Sequence, residues 1–96
     1  MSGKVTKEFA GKCGLLEGTV CIAGGADNAC SAVGNGIVEE GKVLASLGTS
    51  GVVLAAASSA LVDPSLRAHC FCHSAPGKWY NMGVILSAGG AYHWLS

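Results

Sequence analysis

The stretch "KVLASLGTSGVVLAA" constrains the fold more than any other part of the sequence. Two apolar runs, Lys42 to Leu47 and Gly51 to Ala56, flank the three residues Gly48, Thr49 and Ser50. Apolar runs of this length, bounded by glycine, read as strands, and a short glycine-containing loop joins such strands as a hairpin. Around it the other elements fall into order. Lys4 to Cys13 has helical character and Gly14 closes it. "TVCIA", Thr19 to Ala23, reads as a short buried strand. "GGAD" breaks that strand, Asp27 is a good N-cap, and "NACSAVGNG" reads as a short helix of small residues that ends in glycine. Gly41 marks a turn before the hairpin. "SSALVDPS" is a loop broken by Pro64. "AHCFCHS" and "KWYNMG" are strand candidates joined by an "APG" turn, and Val84 to Leu95 reads as a helix with a close-approach site at Gly89-Gly90. The order of strands and three short helices is an α/β pattern, with a seam around Val38 to Lys42.

This pattern has too little polar surface to stand alone. Half the residues are apolar, only 12% are charged and fifteen are glycine, whereas a typical soluble domain carries about 25% charged residues. The expectation is a piece of a longer chain, or a homo-oligomer that hides its surface. The formal net charge is zero. No basic patch with interleaved aromatics is present, which argues against nucleic acid as a partner. "MSGKVTKEFAGKC" lacks the apolar core of a signal peptide. The longest apolar run, "GVVLAAASSALV", is too short to span a bilayer, so no membrane partner is expected. These features point to a cytoplasmic location. Five cysteines, an odd number, argue against a disulfide scaffold and for reduced, buried thiols.

The densest cluster of metal-ligating residue types is His69-Cys70-Phe71-Cys72-His73. On a strand, His69, Phe71 and His73 face one side while Cys70 and Cys72 face the other. Ligands split across two faces cannot close one tetrahedron, and the remaining cysteines offer no paired spacing. No metal ligand is therefore assigned, and a small Cys/His metal-binding module is the weaker alternative. Trp79 and Trp94 read as core or inter-domain packing. Lys78 reads as a solvated strand start, and Glu39-Glu40 as a solvated linker.

Two glycine-flanked polar tips carry more chemistry. In "AGGADNA", Ala23 to Ala29, a carboxylate arrives at a helix start just beyond a strand, where α/β proteins bind ligands. Asp27 is either a general base or metal-shell carboxylate, or simply a helix cap. In "SLGTSG", Ser46 to Gly51, glycines let backbone N–H groups converge, and Thr49 and Ser50 add hydroxyl donors. That tip is either a phosphate clamp or an ordinary turn. It is not a P-loop, because no Lys follows at the required spacing. Together the tips offer an acceptor for a hydroxyl proton and donors for a phosphate. Phosphoryl transfer to an alcohol needs both.

The stretch from "GTVCIAGGADNACSAVGNG" through "KVLASLGTSGVVLA" resembles the middle of the FGGY carbohydrate kinases, and "HCFCHSAPGKWYNMGVILSAGGAYHWL" resembles their xylulokinase branch. The likeness runs from about Gly3 to Leu95. It implies part of an actin-like (ribonuclease H-like) two-domain ATPase fold, with residues 1–38 ending the first domain and 39–96 opening the second. It implies an ATP-dependent kinase that phosphorylates a pentulose, D-xylulose, with Mg2+. Ribulose, glycerol or gluconate are the alternative substrates within the family. The family's catalytic aspartate falls on Asp27, which would take the proton of the sugar hydroxyl, and Asn28 follows on the sugar side. Its second phosphate turn falls on Gly48, Thr49 and Ser50. A glycine that contacts the nucleotide falls on Gly89, and a polar contact one helical turn later falls on His93. Ala26 stands where the family commonly has a third glycine. The first phosphate motif and the downstream adenosine site are missing, so the rest of the kinase chain is an expected partner and the segment alone is expected to be inactive.

Overall fold

The computed structural model describes residues 1–96. A two-stranded sheet comes first: β1 (Gly3–Lys4) pairs antiparallel with β2 (Val20–Cys21), and α1 (Lys7–Cys13) lies between them in sequence. Thr6 caps α1, accepting the Phe9 N–H at 3.3 Å, which is why the helix starts at Lys7 and not at Lys4. Gly14, at φ 75°, closes α1 and donates its N–H to Ala10 O at 3.0 Å. The expected burial of Thr19 to Ala23 does not hold. Val20 is 54% and Ile22 76% exposed, because β1 is the only strand that pairs with β2.

After α2 (Asp27–Gly34) the chain builds one antiparallel sheet from β3 (Val43–Leu47), β4 (Gly51–Ala57), β5 (His69–Cys72) and β6 (Trp79–Ile85). The strand order is β3-β4-β6-β5. The expected hairpin is present, with Leu47 opposite Gly51 and Val43 opposite Ala55. The expected helix from Val84 is shorter: α3 spans Gly89–Leu95. Val84 and Ile85 instead extend β6, where they pair with Val52 and Gly51 of β4. Two β-branched residues beside an open strand gain ladder hydrogen bonds that a helix start would not give them.

One face of the sheet carries Leu44, Leu54, Ala56, Tyr80 and Met82, following the two-residue alternation of the strands. α2 lies over this face. Ala29 and Ala32, three residues apart on one side of the helix, pack on Leu54 and Tyr80, flanked by Ile37, Leu44 and Met82. Methyl side chains let the helix sit close to the sheet. On the opposite face Val43, Leu47, Val53 and Ile85 are all exposed. Leu86, Tyr92, Trp94 and Leu95, in and before α3, are exposed as well, so Trp94 is not a core residue of this chain.

The chain exposes 6928 Å², against about 5,100 Å² for a compact monomer of its mass. Its radius of gyration is 17.9 Å, against about 12.5 Å for a globule of this length. Only eight of 96 residues are buried. The fold thus leaves most of its large apolar side chains uncovered. No helix is long and apolar enough to cross a membrane.

Candidate functional site

The hairpin tip and the start of α3 form one unit. The Gly48 N–H donates to Ser50 O at 2.9 Å, which tightens the turn. The N–H groups of Ala88, Gly89 and Gly90 then donate to Thr49 O, Gly48 O and Thr49 O at 2.8, 3.0 and 3.1 Å. A Cβ on Gly89 would overlap the Gly48 carbonyl oxygen and lie 3.2 Å from its carbon. Only glycine allows this approach. The two sequence-predicted nucleotide groups, Gly48-Thr49-Ser50 and Gly89, are therefore in direct contact.

The donor set of the tip is narrower than the sequence suggests. The Ser50 hydroxyl donates to Leu86 O at 3.0 Å, so its hydrogen is already used. The Gly48 N–H is used within the turn. The N–H groups of Thr49 and Ser50 and the Thr49 hydroxyl make no hydrogen bond within the chain. Two adjacent backbone amides and a hydroxyl suit the oxygens of a phosphate. His93 lies in the last turn of α3 and is exposed.

Asp27 opens α2, but not as its cap. Ala26 holds the N-cap position at φ −62° and ψ 154°, and has no side chain to offer a hydrogen bond. Asp27 stands one place further in, where its Oδ1 accepts the Asn28 N–H at 2.9 Å. The second carboxylate oxygen has no partner in the chain. A carboxylate in the first turn meets the positive end of the helix. Burial pushes the Tyr80 phenol up from its ordinary range, and the Asp27 charge adds to that rise. The carboxylate thus acts electrostatically on the sheet face beneath α2. Tyr80 pairs with Ala56, five residues along β4 from Gly51, a span of about 17 Å at strand rise. No hydrogen bond joins Asp27 to the tip. The Asp27 loop follows β2 of the two-stranded sheet and the hairpin tip joins β3 to β4 of the four-stranded one.

Three residues that the sequence did not mark as functional surround α2. His73 is the single buried polar residue. Its ring stands edge-on to Tyr80 with centroids 5.8 Å apart. Both of its nitrogens are hydrogen-bonded, to Ile37 O and Ala75 N, so neither is free to bind a metal. Phe71 stacks on His69 and tilts against Tyr80 at 5.6 Å in each case. The expected one-sided row of His69, Phe71 and His73 is borne out. Ser74 reaches α2, with its Oγ 3.7 Å from Cys30 Sγ. The alternation of "HCFCHS" could have placed His73 over the β6 face, but its partner Ile37 lies 36 residues away.

Elsewhere, the Ser65 N–H and then Arg67 hold Asp63 below its ordinary carboxylate range, in an exposed loop. Glu40, expected to be solvated, accepts a hydrogen bond from Ser58 at 2.5 Å.

No family model matches the chain. Curated relatives do. It is 46% identical over 93 residues to the xylulose kinase of Bacillus subtilis, covering 97% of this chain and 19% of that protein. It is 40% identical over 96 residues to the xylulose kinase of Escherichia coli, covering 100% of this chain and 20% of that protein. Among solved structures, the xylulose kinase of Rhodospirillum rubrum superposes with a TM-score of 0.86 at 35% identity, over 97% of this chain and 19% of that one. A kinase of Brucella ovis described as a "xyloylose kinase" gives 0.83 at 42% identity, with the same coverage. The chain thus spans about one fifth of the length of the relatives it matches. The expected α/β fold, part of an actin-like sugar kinase, agrees with these neighbours. In sequence and in fold, nearly the whole chain matches one segment of the xylulose kinases.

Proposed function

We propose that this segment is the junction of an ATP-dependent kinase that converts D-xylulose to D-xylulose 5-phosphate. The observation that carries the reading is the union of the Gly48–Ser50 tip with Gly89, which leaves two amides and a hydroxyl free for phosphate oxygens. Asp27 would take the proton of the sugar hydroxyl as that oxygen bonds to the γ-phosphorus. The bond from that phosphorus to its bridging oxygen breaks, and the electron pair leaves on ADP. Asn28 would face the sugar. The Thr49 and Ser50 amides and the Thr49 hydroxyl would hold phosphate oxygens, with Gly89 and His93 at the nucleotide. Positioning and charge neutralisation of this kind carry most of the catalysis of phosphoryl transfer.

Mg2+ would come with ATP and would supply charge neutralisation for its phosphates. Asp27 fits as a single carboxylate toward such an ion, since one of its oxygens is unpartnered. No group of three or more potential ligands gathers in this chain.

Residues 1–38 would end the first domain and 39–96 begin the second. The exposed sheet face and α3 would be covered by the rest of the kinase chain, since the relatives are far longer than this segment. We propose the cytoplasm as the location, because that is where ATP is supplied.

The test is a substrate panel on the full-length kinase that contains this segment. ADP formation with D-xylulose should exceed that with ribulose, glycerol or gluconate at equal concentration. A preference for any of the other three overturns the substrate assignment. The isolated 96-residue chain should give no turnover with ATP and D-xylulose.

A further inference from the structure

His73 is 7% exposed and has no part in the transfer scheme above. A buried imidazole needs a partner for each nitrogen. Nδ1 accepts the Ala75 N–H at 3.0 Å, so it carries no proton. Nε2 therefore carries the proton and donates it to Ile37 O at 2.8 Å. Ile37 lies just beyond α2, and its own N–H donates to Ala32 O at 2.8 Å. One peptide unit at the helix exit is thus tied backward to α2 and sideways to the sheet.

The next residue holds the other end. Ser74 Oγ lies 3.7 Å from Cys30 Sγ. A Cβ on Gly25 would overlap Ser74 Oγ and come 3.0 Å from Ser74 Cβ. Gly25 and Cys30 flank Asp27 on either side. Between the two ends, Tyr80 sits under Ala29 and Ala32 with the His73 ring against its edge. Two consecutive residues after β5 therefore grip both ends of α2. The His73–Ile37 bond also crosses the proposed seam between the domains.

We infer that His73 is a positioning residue for phosphoryl transfer, fixing α2, and with it Asp27, over the sheet through its bond to Ile37 O. This rests on Asp27 being the base. The test uses the full-length kinase with two substitutions that split the two bonds. In His73→Asn the carboxamide oxygen can keep the Ala75 bond but cannot reach Ile37. In His73→Gln the carboxamide nitrogen can reach Ile37. Losing one buried hydrogen bond sets the scale at roughly five- to tenfold. His73→Asn should lower kcat by about that factor with the KM for ATP little changed. It should raise amide exchange over residues 27–37 by a similar factor and leave β4 and β6 alone. His73→Gln should restore both. A purely structural role would lower both variants together or loosen the whole sheet, and that result overturns the inference, as does an unchanged His73→Asn.

Should His73→Asn not fold, His73→Gln and the unsubstituted protein still decide. A folded His73→Gln whose α2 exchanges faster than that of the unsubstituted protein overturns the inference. So does a ¹⁵N spectrum of the unsubstituted kinase with the His73 proton on Nδ1. The exchange measurement does not depend on what Asp27 does. If Asp27→Asn kept its turnover, the base reading would fall while exchange over α2 still judged the grip of His73.

Discussion

The two halves of the proposed site are held by different means. The Gly48–Ser50 tip is fastened mainly by main-chain bonds, three of them from Ala88, Gly89 and Gly90 at the entry to α3, with one side-chain bond from Ser50 Oγ to Leu86 O, and by a glycine contact that excludes any side chain. α2, which opens with Asp27, is held by the side chains of His73 at its exit and Ser74 at Cys30, from a turn 44 residues away from Cys30 in sequence. Main-chain fastening tolerates most residue types but fixes the glycines. Side-chain fastening depends on the identity of distant residues. A phosphate needs a fixed set of amides, which backbone geometry supplies directly. A general base needs an orientation, which can be adjusted by the elements packed around it.

The largest effect should follow Gly89→Ala. The new methyl would meet the Gly48 carbonyl, and backbone cannot yield there without opening the three tip bonds. The expected loss is about 3 kcal/mol of stability, with ATP affinity falling about tenfold or more. Denaturant unfolding and ATP titration of the full-length kinase measure both. No side-chain trimming should restore them, since the obstacle is main chain. Ordinary stability and affinity would remove the main-chain account of the tip.

Gly25→Ala should cost less, about 1–2 kcal/mol, because its obstacle is the Ser74 side chain. Here rescue is expected: Gly25→Ala with Ser74→Gly should recover most of the loss in a double-mutant cycle. Additive losses would mean that the two loops do not meet as described. The contrast between a rescuable and a non-rescuable glycine separates side-chain from main-chain fastening.

The smallest effect concerns Tyr80. Its phenol is raised by burial and, to a lesser degree, by the Asp27 charge. A raised value means that the folded state favours the protonated phenol. Its stabilising contribution is complete below the unfolded value of about 10 and is lost as pH climbs through the higher folded value. Tyr80→Phe should therefore flatten the alkaline end of the stability curve, and Asp27→Asn should flatten it less. An alkaline limb identical in Tyr80→Phe would show that Tyr80 does not titrate in that way.

The hairpin was legible because "VLASL" and "GVVLAA" carry strand composition and "GTS" permits only a tight connection. The short helix over "DNACSAVG" was legible because its small residues and final glycines have local meanings. The start of α3 was not, since Val84 and Ile85 suit either a helix or a strand, and only the open edge of β4 decides between them. The exposure of Val20 and Ile22 was not legible either, because burial depends on what lies above a strand. Among the proposed site residues, Asp27 and the tip came from local signals and family likeness. The roles of His73 and Ser74 were hidden, because hydrogen bonds across 36 and 44 residues leave no local trace. The spare hydroxyl of Ser50 was likewise an illusion of sequence, removed by Leu86 O.

The most direct test of the whole scheme is single-turnover phosphoryl transfer by full-length Asp27→Asn, measured beside its ATP dissociation constant. The isosteric amide keeps the Oδ1 that accepts the Asn28 N–H but cannot accept the sugar proton. Transfer should fall at least about a hundredfold, with ATP binding within about twofold of the unsubstituted enzyme. Transfer at an ordinary rate, or a matching collapse of ATP binding, would contradict the assignment of Asp27 as the base.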